Sequence, residues 1–187
     1  MFQLFVDSPA YVWQTRREET LQPFSCDGFL KDPDDVLFRA ISVAADNVTL
    51  FNWLCQLRVA PYSYDWIDNG FKQSPRIVDP SLRLLEVGQV FVGIFKLLDF
   101  KADEFITLGT FDSKTEGYFG KVVLTYAIRK PVNVAPDDPG CRLVAKLIVK
   151  RRQRGIFKML APLLPLGDWI MMQKQLRTLR DLAEGRC

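Results

Sequence analysis

Apolar and polar positions alternate with a period of two along several stretches of this chain, and the pattern turns helical in only a few places. Val36–Val43 puts Phe38, Ala40 and Ser42 on one face and Leu37, Arg39, Ile41 and Val43 on the other, a strand pattern. Asp46 or Asn47 then caps a short helix through Gln56, with Val48, Phe51, Trp53, Leu54 and Leu57 on a broad apolar side. Strand alternation returns in Gln89–Lys96, Glu104–Phe111, Lys121–Lys130 and Cys141–Lys150. Short polar turns join these segments and no helix-length pattern separates them, so antiparallel hairpins are expected rather than a doubly wound parallel sheet. A last helix is expected from Gly167 or Asp168, with Asp168 as cap, to Ala183, its stripe formed by Trp169, Met172, Leu176, Leu179 and Ala183. Its sixteen residues span about 24 Å. A short helix is expected within Ser8–Leu21, and Arg58–Pro80 reads as a long connection rich in turn formers, a kind of loop that is often functional.

At 187 residues the chain has the length of one domain, expected over 1–187 with 1–25 as an N-terminal extension. Forty-eight per cent of its residues are apolar and 25% charged, an ordinary globular balance that excludes disordered and collagen-like classes. The net charge of +3 is too small to point to nucleic acid, and no nucleic-acid partner is expected. The chain has no histidine. That removes Ser-His-Asp and Cys-His nucleophiles, His-ligated metals and His proton shuttles, leaving carboxylates, Tyr, Lys and Cys for any chemistry. Cys26, Cys55, Cys141 and Cys187 form no C-x-x-C pair, so neither a zinc ribbon nor a redox motif is read. No Walker or G-x-G-x-x-G spacing occurs, and no cofactor or metal is expected. Met1–Ala10 contains Asp7 and no basic start, and the apolar stretch Ile156–Met172 is interrupted by Lys158, Pro162, Pro165 and Asp168. Neither a secretory signal nor a spanning helix is therefore expected, and the expected location is cytoplasmic.

One helix against a curved antiparallel sheet leaves volume to be filled by large side chains or by a guest, and a preformed apolar pocket suits hydrophobic ligands. Arg39–Val43 together with Phe51–Asn69 resembles the SRPBCC proteins, the START and polyketide cyclase/dehydrase-like superfamily, and is most similar to its uncharacterised bacterial members. Gly120–Ile128, Arg142–Lys150 and Gly167–Met172 are similar to that group as well, so the resemblance runs over roughly residues 26–184. It implies an α+β helix-grip fold, a curved antiparallel sheet wrapped around a long C-terminal helix, and a tunnel for lipids, sterols or polyketides. It implies no catalytic motif to carry over.

Binding of a small hydrophobic ligand is therefore expected, with catalysis by a cyclase or dehydratase, or a non-catalytic interaction protein with a filled core, as the alternatives. Trp53, Tyr62, Tyr64, Trp66 and Phe91 are expected on the lining from the helix, loop and first hairpin. Phe105, Tyr126, Trp169, Met172 and Leu176 are expected there from the later strands and the last helix. Gln56 and Arg58 are candidate donors to a ligand oxygen, Arg58 alternatively pairing with Asp65 or Asp68. In the run Tyr62–Trp66, Asp65 is the candidate base if an apolar site raises its pKa, with Tyr62 or Tyr64 as acid. The same Asp65 equally suits a turn cap. Lys146, Lys150, Arg151, Arg152, Arg154 and Lys158 form a basic run, either a solvated turn or, over Lys150–Lys158, a weak membrane-surface contact. Oligomeric state is not legible.

Overall fold

The computed structural model describes residues 8–111, 116, 120–130, 140–151 and 164–186. Its strands are β1 (Val12–Trp13), β2 (Asp35–Val43), β3 (Val90–Phe91), β4 (Phe95–Lys101), β5 (Phe105–Thr110), β6 (Lys121–Arg129) and β7 (Cys141–Lys150). The helices are α1 (Arg17–Thr20), α2 (Asn47–Cys55), α3 (Asp65–Asp68) and α4 (Leu164–Ala183). The strands form one seven-stranded sheet in the order β1-β2-β7-β6-β5-β4-β3. Only β1 runs parallel to its neighbour; every other pairing is antiparallel.

The strand alternation decides which residues share a face. Register pairs Leu37 with Leu147, Ile41 with Leu143 and Leu124 with Leu147, so the apolar rows of β2, β6 and β7 coincide. On the inner face these rows join Ile106 and Leu108 of β5, the buried side of α2, and Met172, Leu176, Leu179 and Leu182 of α4 in one core. α4 lies against β2 and α2. This is the helix-grip architecture expected from the sequence, an open sheet gripping its C-terminal helix. α2 begins where expected, with the Asp46 carboxylate accepting from the Thr49 backbone N–H at 2.7 Å.

The outer face is also covered. Phe38, Ala40, Val123, Ala127, Val144 and Ile148 pack with Phe24 and Cys26 of the N-terminal segment. The polar groups trapped there are satisfied: the Cys26 backbone N–H donates to Thr125 Oγ1 at 2.9 Å, and the Thr125 and Thr107 hydroxyls bond each other at 2.8 Å. An unpaired hydroxyl in such a layer would destabilise it.

Three elements differ from the sequence reading. The helix expected within Ser8–Leu21 is instead an edge strand followed by one helical turn, because the Phe38 N–H donates to the Tyr11 carbonyl and Gln14 turns at φ 53°. The strand expected over Gln89–Lys96 is a hairpin that reverses at Val92 and Gly93 (φ 49° and 72°), returning Phe95 opposite Phe91. A β-branched residue seldom takes such a φ, so the alternation hid the turn. Finally, α4 starts at Leu164, and Asp168 lies inside it rather than capping it.

Candidate functional site

Arg39 stands on the inward face of β2 between Leu37 and Ile41, and is 1% exposed. Such a cation must be paired or solvated by dipoles. Nη2 donates to Asp168 Oδ2 at 2.8 Å and to the Ala10 carbonyl at 2.7 Å; Nη1 donates to the carbonyls of Tyr11 and Phe38, each at 2.9 Å. Burial pulls the guanidinium pKa down, against the attraction of Asp168. Burial likewise raises the Asp168 carboxyl to about 6, opposed by Arg39. Both partners move toward their neutral forms, so desolvation outweighs their mutual attraction. Asp168 nevertheless keeps 21% of its side chain accessible.

Three elements converge beside it. Tyr126, inward on β6, donates its hydroxyl to Gln175 Oε1 on α4 and lies 3.6 Å from Met172 Sδ. Gln175 Nε2 in turn donates to the Pro61 carbonyl at 2.7 Å. This chain ties the sheet, α4 and the loop after α2 together, and burial holds the Tyr126 phenol protonated.

Directly after Pro61 the chain turns through Tyr62 at φ 55° and packs its ring edge-on against Trp53, with centroids 6.1 Å apart. Tyr62 is 1% exposed and its hydroxyl has no partner; burial raises its pKa to about 12. The indole N–H of Trp169, one turn before Met172 on α4, is also buried without a partner. Buried polar atoms are nearly always hydrogen-bonded; Tyr62 Oη and Trp169 Nε1 are exceptions in or beside the inner core, as is Arg39 Nε on β2.

The other residues singled out from the sequence are spread more widely. Trp53, Phe91, Met172 and Leu176 are buried in the inner core, and Tyr64 is half-buried. Phe105 packs with the outer cluster and Trp66 projects into solvent. Gln56 is spent on the Asp79 backbone at 3.1 and 3.4 Å, and Arg58 donates to the carbonyls of Leu82 and Leu84 instead of pairing with Asp65. Asp65 accepts from the Ser74 N–H at 2.9 Å, the Ser74 hydroxyl at 2.5 Å and Asn69 Nδ2 at 3.5 Å. Burial raises its pKa, but these bonds outweigh burial and hold the carboxyl below its usual value. The condition for a raised-pKa base at Asp65 is therefore not met, and the turn-cap alternative describes its bonding.

The described part of the basic run is paired. Lys146 meets Asp27 at 2.6 Å, Lys150 meets Asp34 at 3.3 Å, and Arg151 bonds Asp35. Residues 152–163, the rest of the expected membrane contact, lie outside the described residues. No described helix is long and apolar enough to cross a membrane. Sequence reasoning passed over Arg39, Asp168 and Gln175 as a group, although one signal was present: Arg39 is the charged residue on the apolar side of the first long strand.

No protein-family model and no curated protein sequence matches the chain. Solved structures do. The Zhui aromatase/cyclase of a Streptomyces species is 12% identical over 81% of this chain and 94% of that one, with a TM-score of 0.50. A Thermobifida fusca protein solved by NMR is 13% identical over the same shares of the two chains, also with a TM-score of 0.50. These similarities show a shared fold.

Proposed function

We propose that this chain, which has the helix-grip architecture implied by its resemblance to the START and polyketide cyclase/dehydrase-like superfamily, binds a small, mostly apolar molecule between the inner sheet face and α4. The observation that carries the reading is that Tyr62 Oη and Trp169 Nε1 are buried without partners in or beside the inner core, as is Arg39 Nε on β2. An indole N–H only donates, so the guest must offer an acceptor oxygen there, as a lipid, sterol or polyketide carbonyl or hydroxyl would. Trp53, Tyr126, Met172 and Leu176 would supply apolar contact. Phe105 and Trp66 are left out of this lining, Phe105 because it packs on the outer face and Trp66 because its ring stands in solvent.

Native mass spectrometry of the purified protein tests the reading by detecting a co-purified adduct of lipid-like mass. Tyr62→Phe and Trp169→Phe each remove one polar tip while keeping an apolar ring. Each is expected to weaken that adduct about tenfold, the value of one buried hydrogen bond of about 1.4 kcal/mol, with little change in urea midpoint. Absence of any adduct, together with no displacement of 1-anilinonaphthalene-8-sulfonate by fatty acids, sterols or phenolic polyketides, would count against binding.

A second reading, acid–base catalysis in the same interior, is favoured by Asp168, whose pKa of about 6 lies near the working range of a general base. It would transfer the role once expected of Asp65 to α4. Asp168→Asn separates the two readings: a carrier keeps its adduct intact, whereas an enzyme accumulates unconverted substrate as a different mass.

A further inference from the structure

A guanidinium presents its Nε–H and one Nη2–H side by side, a fork that matches the two oxygens of a carboxylate. Two other arginines of this chain close that fork completely. Arg142 sets Nε and Nη2 on the two oxygens of Glu19, and Arg151 sets the same atoms on the two oxygens of Asp35. Arg39 is more deeply buried than either and leaves its fork half open. Asp168 Oδ2 takes the Nη2 prong at 2.8 Å, the remaining Nη hydrogens go to the carbonyls of Ala10, Tyr11 and Phe38, and Nε is buried without a partner. Asp168 Oδ1 accepts no hydrogen bond among the described residues. Asp168, Met172 and Leu176 recur at a spacing of four along α4, so the open prong stands at the head of the stripe that enters the inner core.

We propose that the guest's polar head is a carboxylate that accepts the Nε–H of Arg39 and shares a proton with Asp168, so that binding takes up one proton. The inference rests on the reading that a guest occupies the interior, and it names the chemical class of that guest. Charge decides the class. A charged donor bonds an ionised acceptor about twice as strongly as a neutral one, but a second anion beside Arg39 and Asp168 would leave a net buried charge. A proton from solvent on Asp168 restores neutrality, and burial already favours the protonated carboxyl. Arg39 on β2 is the one described charge that acts on Asp168, and it opposes that protonation. Tyr126 on β6 feels the Asp168 charge and stays protonated, chiefly through burial. From the N-terminal segment, Tyr11 turns its hydroxyl toward Asp35 and Arg151. Helix α2 carries no charged residue, and burial keeps its Cys55 thiol protonated.

Isothermal titration calorimetry with dodecanoate and dodecan-1-ol tests the proposal, because the two probes share a chain and differ in the head. Above about pH 6 the free protein has released the Asp168 proton that the complex holds. The dodecanoate Kd is therefore expected to rise about tenfold per pH unit between about pH 6 and pH 8, and that of dodecan-1-ol to stay constant. Comparison of phosphate with Tris buffer is expected to show close to one proton taken up per dodecanoate at about pH 8. Asp168→Asn cannot titrate, and its amide still donates to a carboxylate. It is expected to bind dodecanoate with no pH dependence, and more tightly than the wild type at the upper end of the range. If this variant does not fold, the wild-type pH profile and proton count decide alone. Dodecan-1-ol binding as tightly as dodecanoate at about pH 6, or a dodecanoate Kd that does not change with pH, overturns the carboxylate head and leaves the guest reading standing. Binding of neither probe counts against both.

Discussion

Replacing Asp168 with Ala is expected to lower stability at pH 7 by about 3–5 kcal/mol, because it leaves the Arg39 guanidinium buried with no counter-charge. Urea unfolding measures it. The double variant Arg39→Met/Asp168→Leu is expected to be much less damaged than Asp168→Ala, since both desolvation penalties vanish together. A double variant as unstable as the two single variants summed would show the pair to be independent and sink this account. The pH dependence has a definite sign. The Asp168 pKa is raised from 3.8 to about 6 by folding, so between these values the folded chain holds a proton that the unfolded chain has released. Stability contributed here therefore falls as pH rises from about 4 to about 6 and levels off above. At about 1.4 kcal/mol per pH unit the slope amounts to about 3 kcal/mol across that window, and Asp168→Asn is expected to abolish it.

Arg142→Leu is expected to cost a similar amount, about 3–5 kcal/mol, for a different reason. Arg142 lies on the outer face of β7 and grips the N-terminal segment: its Nε and Nη2 donate to the two carboxylate oxygens of Glu19 at 2.7 and 2.9 Å, Nη2 to the Gln14 carbonyl at 2.9 Å, and Nη1 to Ser42 Oγ at 3.0 Å. Both side chains are 6% exposed, so truncation strands a buried carboxylate. Limited proteolysis is the sharper readout. Cleavage between residues 14 and 34 is expected to accelerate strongly in Arg142→Leu and partly in Arg142→Lys, which keeps the charge but loses the two-pronged geometry. Unchanged cleavage would mean that Phe24 and Cys26 hold the segment alone. Glu19 also sets the opposite pH trend to Asp168. Burial raises its pKa, but the bonds from Arg142 and the Arg16 N–H outweigh burial and bring it below 4.5. Its contribution is present at neutral pH and is lost as pH falls through the acid range. The Asp168→Asn variant should accordingly show a plain acid decline.

The alternation in β2, β5, β6 and β7 made most of the sheet legible, since side chains two apart must share a face and the apolar rows must meet across neighbouring strands. Arg39 stands as a charge on one of those apolar rows, a signal that alternation alone did not turn into a site. The same logic could not place Phe105, because alternation names two faces without saying which is concave, and both faces here are apolar. Nor could it show the reversal at Val92 and Gly93, where neighbouring contacts hold a valine in a conformation its own propensity opposes. The state of Asp65 depends on Ser74, nine positions away, whose two hydrogen bonds help to hold the carboxyl below its usual value and which no local pattern could supply.

What the chain's order of residues determined by itself is local and periodic: the strand faces, the cap of α2, the amphipathic final helix, and the absence of histidine chemistry. What only the tertiary structure decided is which distant groups meet. Asp168 joins Arg39 across 129 positions, Gln175 bridges Tyr126 and Pro61, and Tyr62 and Trp169 are left with buried polar atoms unpaired. Those outcomes follow from desolvation, which acts through everything packed around a group and has no period along the chain.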